Sequence, residues 1–161
     1  MQQKSDILIK IFSECKKKKL KIVSAESCTG GLISSLITSV PGSSEFFEKG
    51  LVTYSNQSKI EILKVKATTL IKFGAVSKEV VEQMAKGSLN KSESDKISIA
   101  VTGVAGPGKS DSKPEGLVWI ASYKKGSLLT KKLCLGSLGR EGVRNETTKN
   151  ALALLLENLI V

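Results

Sequence analysis

The sequence contains no histidine, and only two of its 25 basic residues, Arg140 and Arg144, are arginine. Without an imidazole there is no Ser-His-Asp triad, no histidine metal ligand and no histidine proton shuttle. The scarcity of arginine, with an aromatic content of 4%, argues against nucleic-acid binding, which draws on bidentate guanidinium contacts and on base stacking. Three cysteines (Cys15, Cys28, Cys134) form no Cys-x-x-Cys pair and cannot all join in disulfides. Neither a disulfide framework nor a cysteine zinc site is expected. No apolar run approaches the ~18 residues of a membrane span. Ile7-Leu8-Ile9 precedes Lys16-Lys17-Lys18-Lys19, the reverse of signal-peptide order. A cytoplasmic protein without membrane association is expected.

What is present is ordinary for a globular chain. The 161 residues are 40% apolar and 25% charged, enough to bury one core. The net charge of +10 suits a Lys-rich solvated surface, and its field favours a small anionic ligand such as a phosphate ester.

Periodicity predicts a first helix over 5–19 capped by Ser5, a strand at 21–25, and a helix over 29–40 stopped by Pro41-Gly42. A second strand at 50–54 and a short helix at 57–64 follow. Ser77 caps a helix reaching about Asn90, and KISIAVT (96–102) is the clearest buried strand. Strands at 117–123 and 128–135 form a hairpin, and a helix over 139–161 closes the chain. Strands alternating with helices imply right-handed βαβ units. The expected fold is a three-layer α/β/α sandwich with a mixed, mainly parallel sheet, as a single domain over 1–161.

In open α/β sheets, ligands bind beyond the carboxyl ends of the strands. Three predicted strands end in polar or glycine-rich loops: Glu26-Ser27-Cys28-Thr29-Gly30-Gly31, Thr53-Tyr54-Ser55-Asn56 and Thr102–Gly108. Ser27 and Tyr54 are 27 residues apart, about one βαβ unit, which sets them side by side at neighbouring strand tips. Lys59, five residues beyond Tyr54, sits on the short helix and can fold back over both.

A serine at a strand-to-helix turn followed by two glycines presents a hydroxyl beside unpaired backbone amides, which can stabilise an oxyanion. The plainer reading is that Ser27 or Thr29 only caps the helix. Cys28 reads as a buried structural thiol. If Ser27 is a nucleophile, its base is lysine by default, and that lysine must be held roughly 2–3 pH units below its ordinary ~10.4. Ser-x-x-Lys occurs at 13/16, 88/91, 110/113 and 122/125. None of these includes a strand-to-helix serine, so spacing does not select the base.

Gly103–Ser110 matches Gly-x-x-x-x-Gly-Lys-Ser, the P-loop pattern. A P-loop opens directly into a helix, whereas Lys113-Pro114-Glu115-Gly116 and a strand come next. The only aspartates, Asp6, Asp95 and Asp111, end no apolar strand as a Walker-B residue would. A tight glycine turn is the expected role.

SAESCTGG (24–31), VPGSSEFFEKGLVTYSNQSKIEIL (40–63), FGAVSKEVVEQMAKG (73–87), AVTGVAGPG (100–108), KPEGLVW (113–119) and, more weakly, GREGVR (139–144) together resemble the CinA C-terminal family. Its stand-alone members include nicotinamide-nucleotide amidases. The resemblance spans roughly 20–155, without the molybdopterin-binding-like domain that precedes this one in longer members. It implies a Ser/Lys amidohydrolase that converts nicotinamide mononucleotide to nicotinate mononucleotide and ammonia, within pyridine-nucleotide recycling. By motif, Ser27 is the nucleophile, Lys59 the neutral base and Tyr54 a relay between them. The amides of Thr29, Gly30 and Gly31 hold the oxyanion. Asn56, Thr102, Gly103, Gly106 and Arg140 contact substrate, its phosphate lying near the 102–108 loop or Arg140. No metal or cofactor is implied, and a homodimer is. Lys109 and Gly139 depart from the family pattern, where a longer glycine run and an acidic residue are usual. The alternative is a non-catalytic interaction module of the competence and DNA-damage kind, with a P-loop NTPase as a remoter one.

Overall fold

The structure, a computed structural model, describes residues 2–161, with side chains from Asp6 onward. Helix α1 (Gln2–Lys18) leads into β1 (Lys21–Glu26) and α2 (Leu32–Thr38). A 3-10 turn at 43–45 precedes β2 (Phe47–Val52), followed by α3 (Asn56–Leu63), α4 (Ala67–Phe73) and α5 (Lys78–Gly87). Then come β3 (Lys96–Gly103), β4 (Leu117–Lys124), β5 (Ser127–Cys134) and α6 (Gly139–Ile160).

The five strands form one sheet in the order β2-β1-β3-β4-β5. β1 pairs parallel with β2 and β3, and the β3–β4 and β4–β5 pairs are antiparallel. Four of the five strands therefore point the same way. The fold is the expected α/β/α sandwich with a mixed sheet.

Strand alternation divides the core into two layers. Ile22, Ile97, Ile99, Val101, Val118 and Ile120 face α1, α2 and α6. Ala25, Ala100, Ala121 and Trp119 face α3, α4 and α5. Bulky β-branched residues thus meet the long α1 and α6 pair, while small residues let α5 sit close to the other face.

Several boundaries differ from the sequence reading. α1 begins at Gln2, so Ser5 lies within the helix rather than ahead of it. β2 ends at Val52 because Thr53 already turns away to receive α3. α2 starts at Leu32, not 29, since Gly30 and Gly31 both adopt positive φ, which interrupts helical backbone. α4 was not anticipated; ATTLIKF is short and carries two β-branched threonines, so its helical periodicity is weak. The hairpin turns through Lys125 and Gly126, with Gly126 at φ 86°.

The connection from β1 leads to β2 on one side, whereas β3 leads to β4 on the other. The carboxyl ends of β1 and β3 therefore flank a crevice at the point where the chain reverses direction across the sheet. No helix among the described residues is long and apolar enough to cross a membrane.

Candidate active site

Ser27 is the first residue beyond β1, and its amide still donates to Val101 O of β3. Thr53 follows β2, with its amide bound to Glu26 O. Ser55 caps α3 by accepting from the Ser58 amide, which starts the helix early enough for Lys59 to sit one turn in and face the sheet. Lys59 is 1% exposed and is among the largest fully buried side chains of the chain. Its Nζ lies 3.0 Å from Ser27 Oγ and donates to Thr53 O at 2.8 Å.

Burial lowers the Lys59 pKa from 10.5 to about 8, against a smaller upward effect from Cys28. Desolvation disfavours the ammonium form, and Lys59 forms no ion pair within 4 Å of a carboxylate among the described residues to offset it. The neighbouring Cys28 thiol is pushed up to about 12, again chiefly by burial. It is a protonated wall residue rather than a competing nucleophile.

Ser27, Cys28, Tyr54, Asn56 and Lys59 line one cavity of about 290 Å³ with Thr102–Asp111, Ala75, Val76 and Arg140. The three loops singled out in the sequence thus meet at one opening. Lys109 and Arg140 bring positive charge to it, and Asp111 is the one carboxylate among the described residues that line it. Arg140 crosses the mouth from the first turn of α6, donating to Tyr54 Oη and to Gly106 O, each at 2.8 Å.

Some expected contacts are not made. Tyr54 is 61% exposed, and its hydroxyl meets Arg140, with no hydrogen bond to Ser27 or Lys59. The serine and the lysine touch directly, so the geometry contains no tyrosine relay. Thr29, Gly30 and Gly31 are not among the cavity-lining residues. The Gly30 amide donates to Ser27 O and the Gly31 amide to Glu26 Oε2. The Thr29 hydroxyl is taken by Glu26, and its carbonyl by Arg144. These two glycine amides are therefore unavailable to an oxyanion. The Thr102 hydroxyl is likewise engaged, donating to Ala75 O.

Gly103 and Gly106 line the opening for packing reasons as well. A side chain on Gly103 would strike Val118 across the β3–β4 pair, and one on Gly106 would strike the Glu115 carboxyl. The 104–116 segment forms an Asp111-Ser112 turn closed by reciprocal Ser110–Lys113 bonds and opens no helix. The P-loop pattern is a chance match.

Sequence reading gave Glu26 no role. It is fully buried and accepts hydrogen bonds from Thr29, Gly31, Ile33 and Ser34. The available signal was an acidic residue at the end of the strand, ahead of a helix with no acidic residue in its first turn. Lys113 was also missed: its Nζ ties Phe73 O and Val76 O, and with Thr102 it holds the Ala75–Val76 wall of the cavity.

The family model for the CinA C-terminal domain matches residues 4–159. A CinA-like protein of Endomicrobium trichonymphae is 46% identical over 158 residues, covering 97% of this chain but 36% of its own length. The chain spans about a third of the length of the curated relatives it matches. Among solved structures, the competence/damage inducible protein CihA from Agrobacterium tumefaciens is 39% identical with a TM-score of 0.86, covering 97% of this chain and 96% of that one. The competence damage-inducible protein A from Klebsiella pneumoniae is 34% identical with a TM-score of 0.89, covering 98% and 97%. The chain belongs to the CinA C-terminal domain family.

Proposed function

We propose that this protein is a Ser/Lys amidohydrolase that deamidates nicotinamide mononucleotide, releasing ammonia and leaving nicotinate mononucleotide. The observation that carries the reading is the buried 3.0 Å contact between Lys59 Nζ and Ser27 Oγ at the mouth of the sheet. A module that only binds a partner has no need for an amine desolvated against a serine hydroxyl. The pairing therefore favours the enzyme over an interaction module.

In the first half-reaction, neutral Lys59 accepts the Ser27 proton as Oγ bonds to the carboxamide carbon. Its donation to Thr53 O turns the nitrogen lone pair toward Ser27. The tetrahedral intermediate then collapses: the C–N bond breaks, and ammonia leaves with the proton held by Lys59. In the second half, water attacks the acyl ester while Lys59 takes its proton, and that proton returns to Ser27 as the acid departs.

With the Gly30 and Gly31 amides engaged, the amides left for the oxyanion are those of Cys28 and Thr29. Cys28 is the residue after the nucleophile, the position that serves other serine hydrolases, and it lines the cavity. Arg140 and Lys109 suit the phosphate of the substrate, and Asn56 its ribose. The direct test is ammonia release from nicotinamide mononucleotide by the pure protein and by Ser27→Ala.

A further inference from the structure

Glu26 and Ser27 are consecutive residues at the end of β1 whose side chains leave on opposite faces of the sheet. Ile22 at the same strand parity packs toward α1, α2 and α6, and Ala25 packs toward α3–α5. Glu26 follows Ile22 and reaches α2; Ser27 follows Ala25 and reaches Lys59 on α3.

On its side, Glu26 Oε2 accepts from Thr29 Oγ1 at 2.7 Å, Gly31 N at 3.0 Å and Ile33 N at 3.0 Å. Oε1 accepts from Ser34 N at 2.9 Å and Ser34 Oγ at 2.6 Å, with a longer 3.5 Å contact from Ser24 Oγ. Every partner is a donor, which suits an acceptor-only carboxylate, and none is a cation. The carboxylate does for α2 what a side-chain cap does for other helices. It also fastens both ends of the 27–31 turn, whose two left-handed glycines leave the backbone otherwise free to move.

We propose that Glu26 is a positioning residue for the Ser27–Lys59 pair. Its carboxylate anchors the nucleophile turn to the α2 amides, and the strand pleat keeps its negative charge off the lysine. A carboxylate on the Lys59 side would form an ion pair and hold the amine protonated; here the two buried groups are one residue apart in contact but do not meet. This rests on Ser27 acting as nucleophile.

The test uses the full chain, with Glu26→Gln and Thr29→Val, and a small fluorophosphonate probe that requires no nucleotide recognition. Labelling forms the Ser27 Oγ–P bond, breaks P–F with loss of fluoride, and passes the serine proton to Lys59. Glu26→Gln sets an amide NH₂ against at least one donor, and labelling per folded molecule is expected to slow about tenfold or more, as for loss of a charge-assisted hydrogen bond. Thr29→Val keeps the shape and removes one bond, with about threefold slowing expected on the same grounds. The pH of half-maximal labelling stays at the wild-type value in both. Should Glu26→Gln fail to fold, Thr29→Val carries the test alone. Wild-type labelling rates in the variants would overturn the proposal, as would slowing fully explained by the unfolded fraction. A half-maximal pH that falls by a unit in Glu26→Gln would also overturn it, since the carboxylate would then have been acting on Lys59. Absence of labelling in the wild type removes Ser27 as nucleophile and the proposal with it. Labelling without ammonia release from nicotinamide mononucleotide leaves the proposal standing and overturns the substrate alone.

Discussion

Lys59 Nζ sits 3.0 Å from Ser27 Oγ with almost no solvent access, although 32 residues separate the two in sequence. The parallel pairing of β1 with β2 brings the strand tips together, and the one-turn offset into α3 brings the amine back over the serine. In a chain without histidine, this is the contact on which the proposed hydrolysis depends.

A base with a pKa near 8 dictates how the rate varies with pH. In the proposed mechanism the neutral amine is the active form, so turnover is expected to climb as pH rises through that value. For one such group, the neutral fraction grows about tenfold between pH 7 and pH 9. A kcat/KM profile from pH 6 to 10 checks this; a flat profile would show that no group titrating near 8 takes the proton.

The same burial has a cost in stability. The Lys59 pKa is lower in the folded chain than in the unfolded one, so between about 8 and 10.5 the unfolded state binds more protons. Stability therefore rises with pH across that window and lacks this gain below it. Lys59→Met, similar in length and without a charge, is expected to be more stable than the wild type below pH 8 by up to about 3 kcal/mol. That advantage shrinks toward pH 10.5. Denaturant titrations at pH 7 and 10 measure the difference.

Tyr54 and Arg140 form a strap across the cavity mouth, so they should act together on substrate binding. Tyr54→Phe and Arg140→Ala are each expected to raise KM several-fold, and the double variant to be no worse than Arg140→Ala alone, because both remove one shared contact. A fall in kcat of several orders of magnitude in Tyr54→Phe would instead restore the tyrosine relay. Steady-state kinetics of the three variants separate the two roles.

Thr53 Oγ1 is buried without a hydrogen-bond partner among the described residues. An orphaned hydroxyl costs about 1–3 kcal/mol. Thr53→Val, which keeps the shape, is expected to raise the unfolding free energy by about 1 kcal/mol on that account. Thermal or urea denaturation would reveal it.

The strand-tip arrangement was legible in the sequence because it follows from periodicity and from one βαβ spacing, 27 residues between Ser27 and Tyr54. The false P-loop was legible too, from Pro114 and the strand behind it. Lys59 was placed near the strand tips by its position on the short helix, but no local pattern selected it as the base: its partner is long-range, and the family resemblance made that choice. The helix-capping alternative for Ser27 and Thr29 was half right in kind, since α2 does need a cap. The cap is Glu26, one residue earlier, because a long side chain on a strand can reach amides that a serine in the turn cannot. The same contact takes Gly31 from the oxyanion set, a consequence visible only once the hydrogen bonds are traced. The contact of Tyr54 with Arg140 was not legible, because motif position says nothing of rotamer, and the Tyr54 hydroxyl meets Arg140 instead of the Ser27–Lys59 pair.

The central claim is that uncharged Lys59 removes the proton of Ser27 during attack on the nicotinamide mononucleotide carboxamide. Arginine cannot give up its proton, so ammonia release by Lys59→Arg beside the wild type, at pH 9, tests it most directly. The account predicts steady release by the wild type and essentially none by the variant. Release by Lys59→Arg at a comparable rate would contradict it.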